Sequence, residues 1–279
     1  MEDRGGTVKS VQGVRQQRRQ VTRLLKSLIF MEIPLNEDVW KEIFKEETLR
    51  GELRFNEPMS KHTYFRIGGP ADVMFFPNDA LELKTVLLKA RNHGIPVFIL
   101  GMGTNLLVRD GGIQGITINL KNLNRIKLVD PLIYAEAGVP LQKLLSFAAE
   151  NGFGGIEFAA GIPGAVGGAI YMNAGTKDRE MKDVIDQVTL MIRNGELKIF
   201  NKDEIPFGYR KSGLEGAVIL GAGFKLKKGN PEKIKKKIKD RIMERAVREP
   251  SGYPNAGSIF KNPAGDHAGR IIDELGLKG

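Results

Sequence analysis

The chain has 279 residues, 41% of them hydrophobic, enough to bury one large core or two modest ones. It has no Cys, which excludes disulfides, thiolate metal sites, Fe–S clusters and a cysteine nucleophile, and its three His (His62, His93, His267) lack metal-ligand spacing. The formal net charge of +10 gathers in residues 1–30 and in Lys225–Arg248, runs that read as solvated faces able to attract anionic ligands but lacking the interleaved aromatics of a nucleic-acid site.

The Arg-rich start is open to three readings: a tail, an amphipathic helix, or an over-extended reading frame with Met31 as an alternative start. The apolar stretch Leu24–Phe30 is too short to span a membrane and has no small-residue cleavage site. Asn36 caps a short amphipathic helix predicted over 36–48, with Val39, Trp40 and Phe44 near helical spacing. TYFRIGGPADVMFFP (63–77) reads as strand, Gly-Gly-Pro turn, strand. A helix follows over Asp79–His93 and stops at Gly94. PVFILG is a buried strand, GMGTN a glycine-rich loop, and LLVRDGG leads into the strand GITINL; together they make a β-α-β layer. IYAEAGVP is strand and turn, and Leu141–Asn151 is a helix ended by Gly152. The densest glycine segment, FGGIEFAAGIPGAVGGAIYMNAG, comes next. Strands are expected at Val184–Arg193, Leu197–Phe200 and Ala217–Lys227. A Lys-rich helix over 231–249 carries the stripe Ile234, Ile238, Ile242 and Val247 and is stopped by Pro250. NAGSIFKNP reads as a loop with a short strand, and a last helix lies around Ala268–Leu275.

Four constellations could carry chemistry. Gly101-Met102-Gly103-Thr104-Asn105 follows a strand, and two glycines one residue apart let successive N–H groups form an anion nest. It is not a Rossmann fingerprint, and taken alone it reads as an ordinary strand-end turn. Gly161-Ile162-Pro163-Gly164-Ala165-Val166-Gly167-Gly168-Ala169, running on to Asn173, is small enough for main chain to lie against a flat ring or a phosphate, or for a tight helix–strand crossing. Two such elements together favour a dinucleotide bound in extended form. Phe207-Gly208-Tyr209-Arg210 offers a planar cationic fork suited to a carboxylate or enolate, with Tyr209 able to stack or hydrogen-bond; alone it reads as a surface Arg near a turn. Finally, Ser258, Lys261 and Asn262 place a hydroxyl, an ammonium and an amide within five residues. A Ser aimed into a pocket can donate a proton, while the absence of G-x-S-x-G speaks against a nucleophilic hydrolase.

In this order the motifs resemble the UDP-N-acetylenolpyruvoylglucosamine reductase family. The resemblance runs from NEPMSKHTYFRIGGPAD (56–72) through GMGTNLLVRDGGIQG, EFAAGIPGAVGGAIYMNAG, FGYRKS and YPNAGSIFKNP to GRIIDELGLKG. It implies an α+β, two-subdomain FAD-binding fold of the vanillyl-alcohol-oxidase type, followed by the start of an α/β substrate domain. The implied reaction uses NADPH to reduce FAD, which then reduces the enolpyruvyl group of a UDP-sugar nucleotide in peptidoglycan precursor synthesis. On the family pattern Arg210 stabilises the enolate and Ser258 gives the proton. FAD contacts fall to Arg66, Gly101, Gly103, Thr104, Asn105 and Leu106, and to Gly161, Ile162, Gly164, Gly167, Ala169 and Asn173. Substrate contacts fall to Tyr209, Lys261 and Asn262. The implied location is cytoplasmic, with no metal, nucleic acid, membrane or obligatory protein partner. Only Lys227–Tyr253 lies where some relatives insert a Tyr-bearing loop, so the chain resembles the shorter variant.

Two departures qualify this. Thr176-Lys177-Asp178-Arg179 replaces an Ala-Tyr-Gly-like turn at a flavin-side contact. The catalytic Glu that the family carries near its C-terminus has no equivalent before Gly279; Glu274 lies in the wrong motif, and Leu275 and Leu277 would leave apolar surface uncovered. The expectation is a truncated chain or one of impaired turnover that still binds flavin. Another flavin oxidoreductase of the same fold is the remaining alternative, disfavoured by Ser258. The expected division is a basic extension and helix (1–54), an FAD-binding domain (55–228) with subdomains meeting near 116–125, and the beginning of a substrate domain (229–279).

Overall fold

The computed structural model describes residues 37–44, 49–248 and 252–277. The readings made for residues 1–30, for Met31 as a start, and for the ends of the helix predicted over 36–48 lie outside the described residues.

The first layer is built from α1 (Glu37–Phe44), β1 (Glu52–Pro58), β2 (Pro70–Phe76), α2 (Ala80–His93), β3 (Val97–Leu100) and β4 (Ile113–Asn119). Its four strands lie in the order β1-β2-β4-β3; β2 and β3 each run parallel to β4, and β1 is antiparallel to β2. Being internal and covered on both faces, β2 reads as a nearly continuous apolar run. Its period of two separates Val73 and Phe75, which join the large core with Leu83, Val86 and Ala90 of α2, from Met74 and Phe76. The latter join a smaller cluster with Met59, Leu100 and Val108 on the opposite face. Helix α2 begins where Asp79 accepts hydrogen bonds from the Leu81 and Glu82 N–H groups (both 3.0 Å). It ends at Gly94, left-handed at φ +68°, with Ile95 N–H bonded back to Ala90 O (2.8 Å).

The second layer contains β5 (Ile126–Val129), β6 (Leu132–Glu136), α3 (Leu141–Glu150), β7 (Phe153–Gly154), α4 (Val166–Tyr171), β8 (Ile185–Met191), β9 (Leu197–Asn201) and β10 (Val218–Phe224). Its antiparallel sheet runs β5-β6-β10-β8-β9. Every residue of the central β10 is buried. Ile118 of the first sheet and Ala135, Val188 and Ala222 of the second share one hydrophobic core, so the sheets are held by common packing. The short β11 (Lys227–Lys228) pairs with β7 and leads into α5 (Pro231–Arg248); α6 (Ala268–Glu274) follows.

Several expectations are corrected. Thr63–Ile67 forms no strand: this stretch turns, and the strand paired with β2 is Glu52–Pro58. NAGSIFKNP forms no strand either and is irregular and mostly exposed. The α5 stripe is covered only at its start, where Ile234 is buried and Ile238 half-buried, while Ile242 and Val247 are exposed. Leu275 and Leu277 are exposed as expected. Among the described residues no helix is long and apolar enough to cross a membrane.

Candidate active site

The two glycine-rich segments meet. The Thr104 hydroxyl donates to the Pro163 carbonyl (3.3 Å), joining the loop after β3 to the loop before α4. Within each loop the glycines divide into two kinds. At Gly103 (φ +64°) a Cβ would lie 2.0 Å from the His62 carbonyl oxygen, and at Gly167 it would lie 2.8 Å from the Ala137 methyl group. These glycines serve close packing. At Gly101 and Gly168, by contrast, a Cβ would meet nothing within 4 Å. The open position at Gly101 lies in the loop after β3 and that at Gly168 on α4, and such uncovered surface leaves room for a phosphate or a flat ring.

The floor of the first loop is polar. His62 Nε2 lies 2.8 Å from Glu57 Oε1, and Arg54 Nη1 reaches the same oxygen (3.0 Å). Burial pushes the Glu57 carboxyl up, but the His62 and Arg54 hydrogen bonds and the Lys61 and Arg54 charges outweigh it, so it titrates below the usual carboxylate range. Tyr64 N–H donates to Gly103 O (3.0 Å), fixing the loop to the turn that carries Arg66. Arg66 is exposed and left-handed (φ +59°), Asn105 is exposed, and Leu106 packs on the small cluster.

In the second loop Gly161 and Gly164 have φ of +78° and +133°, Ile162 packs against the large core, and Ala169 is buried. Asn173, fully buried at φ +42°, donates to Gly208 O (3.1 Å) and to Glu180 Oε2 (2.9 Å), and accepts from Lys182 N–H (3.0 Å). Arg210 thereby stands over the second loop. It is left-handed (φ +56°), Nη2 donates to Gly175 O (3.0 Å), and its guanidinium lies 5.0 Å from the Tyr209 ring centroid. Arg210 Nη1 is buried without a hydrogen-bond partner, as is the hydroxyl of Ser212. A partly buried guanidinium whose remaining edge stays accessible can receive an anionic group.

The third segment touches this site at one point: Asn262 N–H is 3.4 Å from the Tyr209 hydroxyl. Tyr209 and Asn262 are therefore brought together. Ser258 and Lys261 are exposed and stand outside the hydrogen-bonded network of Arg210. Sequence reasoning passed over Glu180 and Lys182, which complete that network; both sit seven to nine residues from Asn173, with no motif to mark them.

Glycine-rich segments joined between the two sheet layers fit a phosphate-bearing cofactor, and likeness to known proteins makes the class a flavoprotein with an FAD-binding fold of the vanillyl-alcohol-oxidase type. A family model described as "FAD binding domain" matches residues 71–201, and one described as "UDP-N-acetylenolpyruvoylglucosamine reductase, C-terminal domain" matches residues 249–279. The chain belongs to the UDP-N-acetylenolpyruvoylglucosamine reductase family of FAD-dependent oxidoreductases. A protein of that name from Caldanaerobacter subterraneus subsp. tengcongensis is 44% identical over 244 residues, 87% of this chain and 80% of that protein. Another from Clostridium tetani is 44% identical over 229 residues, 81% of this chain and 75% of that protein. The crystal structure of UDP-N-acetylenolpyruvylglucosamine reductase from Thermus caldophilus is similar at TM-score 0.72 and 35% identity, covering 83% of this chain and 82% of that one. 6-Hydroxy-D-nicotine oxidase from Arthrobacter nicotinovorans shares the fold alone, at TM-score 0.54 and 18% identity over 65% of this chain and 43% of that one.

Proposed function

We propose that the protein reduces UDP-N-acetylenolpyruvoylglucosamine to UDP-N-acetylmuramate with NADPH, a step of peptidoglycan precursor synthesis carried out in the cytoplasm. The observation that carries this reading is the partly buried Arg210 guanidinium, held by the Gly175 carbonyl on the segment that leaves the second glycine-rich element. When bound, FAD relays the hydride of NADPH to the β-carbon of the enol ether. Open backbone at Gly101, together with Thr104, Asn105 and Leu106, would hold one part of the cofactor and Gly161, Ile162, Gly164 and Ala169 the other, with Arg66 at the rim, whereas Gly167 packs on Ala137 and the buried Asn173 spends its amide on Gly208, Glu180 and Lys182. In this reading residues 55–228 form the cofactor domain and 229–279 begin the substrate domain.

Arg210 acts on the substrate carboxylate. Negative charge grows there only as hydride arrives, so its unspent N–H groups stabilise the transition state more than the ground state. Ser258 gives its hydroxyl proton to the α-carbon. Tyr209, Lys261 and Asn262 orient the sugar nucleotide. The exposure of Ser258 fits a segment that docks on the site with the substrate, through the Asn262–Tyr209 contact.

Stopped-flow mixing separates the two halves of the reaction. In the wild type, NADPH bleaches the flavin band, and anaerobic addition of the enolpyruvyl sugar nucleotide restores it. Ser258→Ala is expected to leave the first half within about twofold and slow the second by roughly 10²–10⁴-fold, the range of a lost general acid. A wild-type flavin that stays reduced after substrate is added refutes the proposed reaction, and equal slowing of both halves refutes the role of Ser258.

A further inference from the structure

The departing segment after Asn173-Ala174-Gly175 closes on itself. Gly175 and Glu180 form an antiparallel bridge, and Thr176 N–H donates to Arg179 O (2.9 Å). A Cβ at Gly175 would lie 2.4 Å from Arg179 O, so the hairpin is as tight as it can be. Glu180 is fixed at its base, its N–H bonded to Asp183 Oδ2 (2.8 Å). Its carboxylate is largely buried and its two oxygens do different things. Oε2 accepts from Asn173 Nδ2 (2.9 Å) and lies 3.1 Å from Lys182 Nζ. Oε1 stands 3.9 Å from Arg210 Nη1.

That last distance is too long for a hydrogen bond and short enough for strong attraction in a partly buried setting. A carboxylate seated bidentately on the guanidinium would fill the fork and leave nothing for an incoming anion. Held back by Asn173 and Lys182, Glu180 draws Arg210 into place from the buried Nη1 side without closing a bidentate pair. The Gly175 carbonyl fixes the other nitrogen and the Tyr209 ring lies beside the guanidinium. We propose that Glu180 is the positioning residue of Arg210: it holds the guanidinium, from its buried Nη1 side, in the orientation that receives the carboxylate of the enolpyruvyl substrate. This rests on the function proposed above. The competing account is that Glu180 merely closes its hairpin and anchors Asn173.

Glu180→Gln tests the difference, because the amide keeps the shape and can still accept from Asn173 while losing the charge. Expected are an unchanged flavin absorption spectrum and FAD content, reduction by NADPH within about twofold, and reoxidation by the enolpyruvyl sugar nucleotide slowed by at least about tenfold. In a double-mutant cycle, adding Glu180→Gln to Arg210→Lys is expected to slow reoxidation by less than about twofold further, since the positioned group is already gone. Additive effects in the cycle, unchanged reoxidation in the single variant, or equal slowing of both halves overturns the proposal. If the Gln variant loses FAD, Glu180→Asp, which draws the carboxylate back from Arg210 by one methylene, enters the same cycle with the same criteria. If wild-type reduced FAD is not reoxidised by this substrate, the proposed reaction fails instead, and a crystal structure of the Gln variant decides the positioning. Loss of the Arg210–Gly175 bond upholds it, and an unmoved guanidinium overturns it.

Discussion

At Gly103 any side chain would run into the His62 carbonyl, whereas at Gly101, two residues earlier, a methyl group would enter empty space. The two glycines should therefore fail in different ways. Gly103→Ala combines a left-handed backbone with a main-chain clash and is expected to lower stability by about 2–4 kcal/mol. Gly101→Ala is expected to leave the FAD-free protein within about 0.5 kcal/mol of wild type and to weaken FAD binding. Urea unfolding of the stripped protein and titration with FAD distinguish them; undiminished FAD affinity in Gly101→Ala would remove that loop from the cofactor site. The spacing of the glycines was legible in the sequence, but which of them pack and which stay open was not, because His62 and Ala137 reach them from distant segments. Glu180 was hidden for the same reason. The hairpin at Gly175 and the turn at Gly208, not any local pattern, bring it to Arg210.

At the scale of elements, α2 was readable to within one residue because its stop signal, Gly94, is local, while the capping role of Asp79 emerged only in the structure. Its cap also gives the fold a testable pH dependence. The Glu82 N–H bond lowers the Asp79 carboxyl, burial opposes this, and Arg50 and the Leu81 N–H lower it further, leaving it below its ordinary value of 3.8. A carboxyl depressed by folding stabilises the fold above its unfolded value and loses that contribution as pH falls through the folded one. Asp79→Asn keeps a good cap without the charge, so wild type is expected to exceed it in stability by up to about 1 kcal/mol at pH 6. The gap should narrow in urea unfolding as pH falls below the ordinary value of 3.8 and through the lower folded one; a gap constant with pH would remove the charge from the account. Strands β1 and β5 escaped the sequence because neither shows a clean buried face. The half-buried, charged ELRFNEP shows no apolar alternation, and IKLV is mostly exposed. The opposite error at Thr63–Ile67 arose from β-favouring residues overruled by packing: Gly69 closes so tightly on the Asp110 carbonyl that the chain must turn before it.

Over the whole molecule the shared core fixes the two sheets to each other, and the glycine loops leave an open seam at their edge. A cofactor lying along that seam touches both layers, so its binding should report on global and not local stability. Saturation at about 100 times the dissociation constant adds about 2.7 kcal/mol. For a chain of this size that corresponds to a thermal midpoint roughly 5–10 °C higher with FAD than without. Calorimetry should show a single transition that moves as a unit. A transition that splits, with only one part responding to FAD, would mean that the cofactor is held by one layer alone. The overall fold class was legible through the motif order, and the seam itself was not, because it is formed by loops about sixty residues apart.

The left-handed residues carry one more consequence. Among the described residues, Asn56, Arg66, Asn173 and Arg210 are the non-glycine positions with positive φ. Three of these four belong to the proposed site. A campaign to harden this protein by relieving backbone strain would rank the same positions first, since glycine fits each of them better. Improved heat resistance and lost turnover would then arrive together, because the strained positions are also the ones whose side chains the proposed site uses.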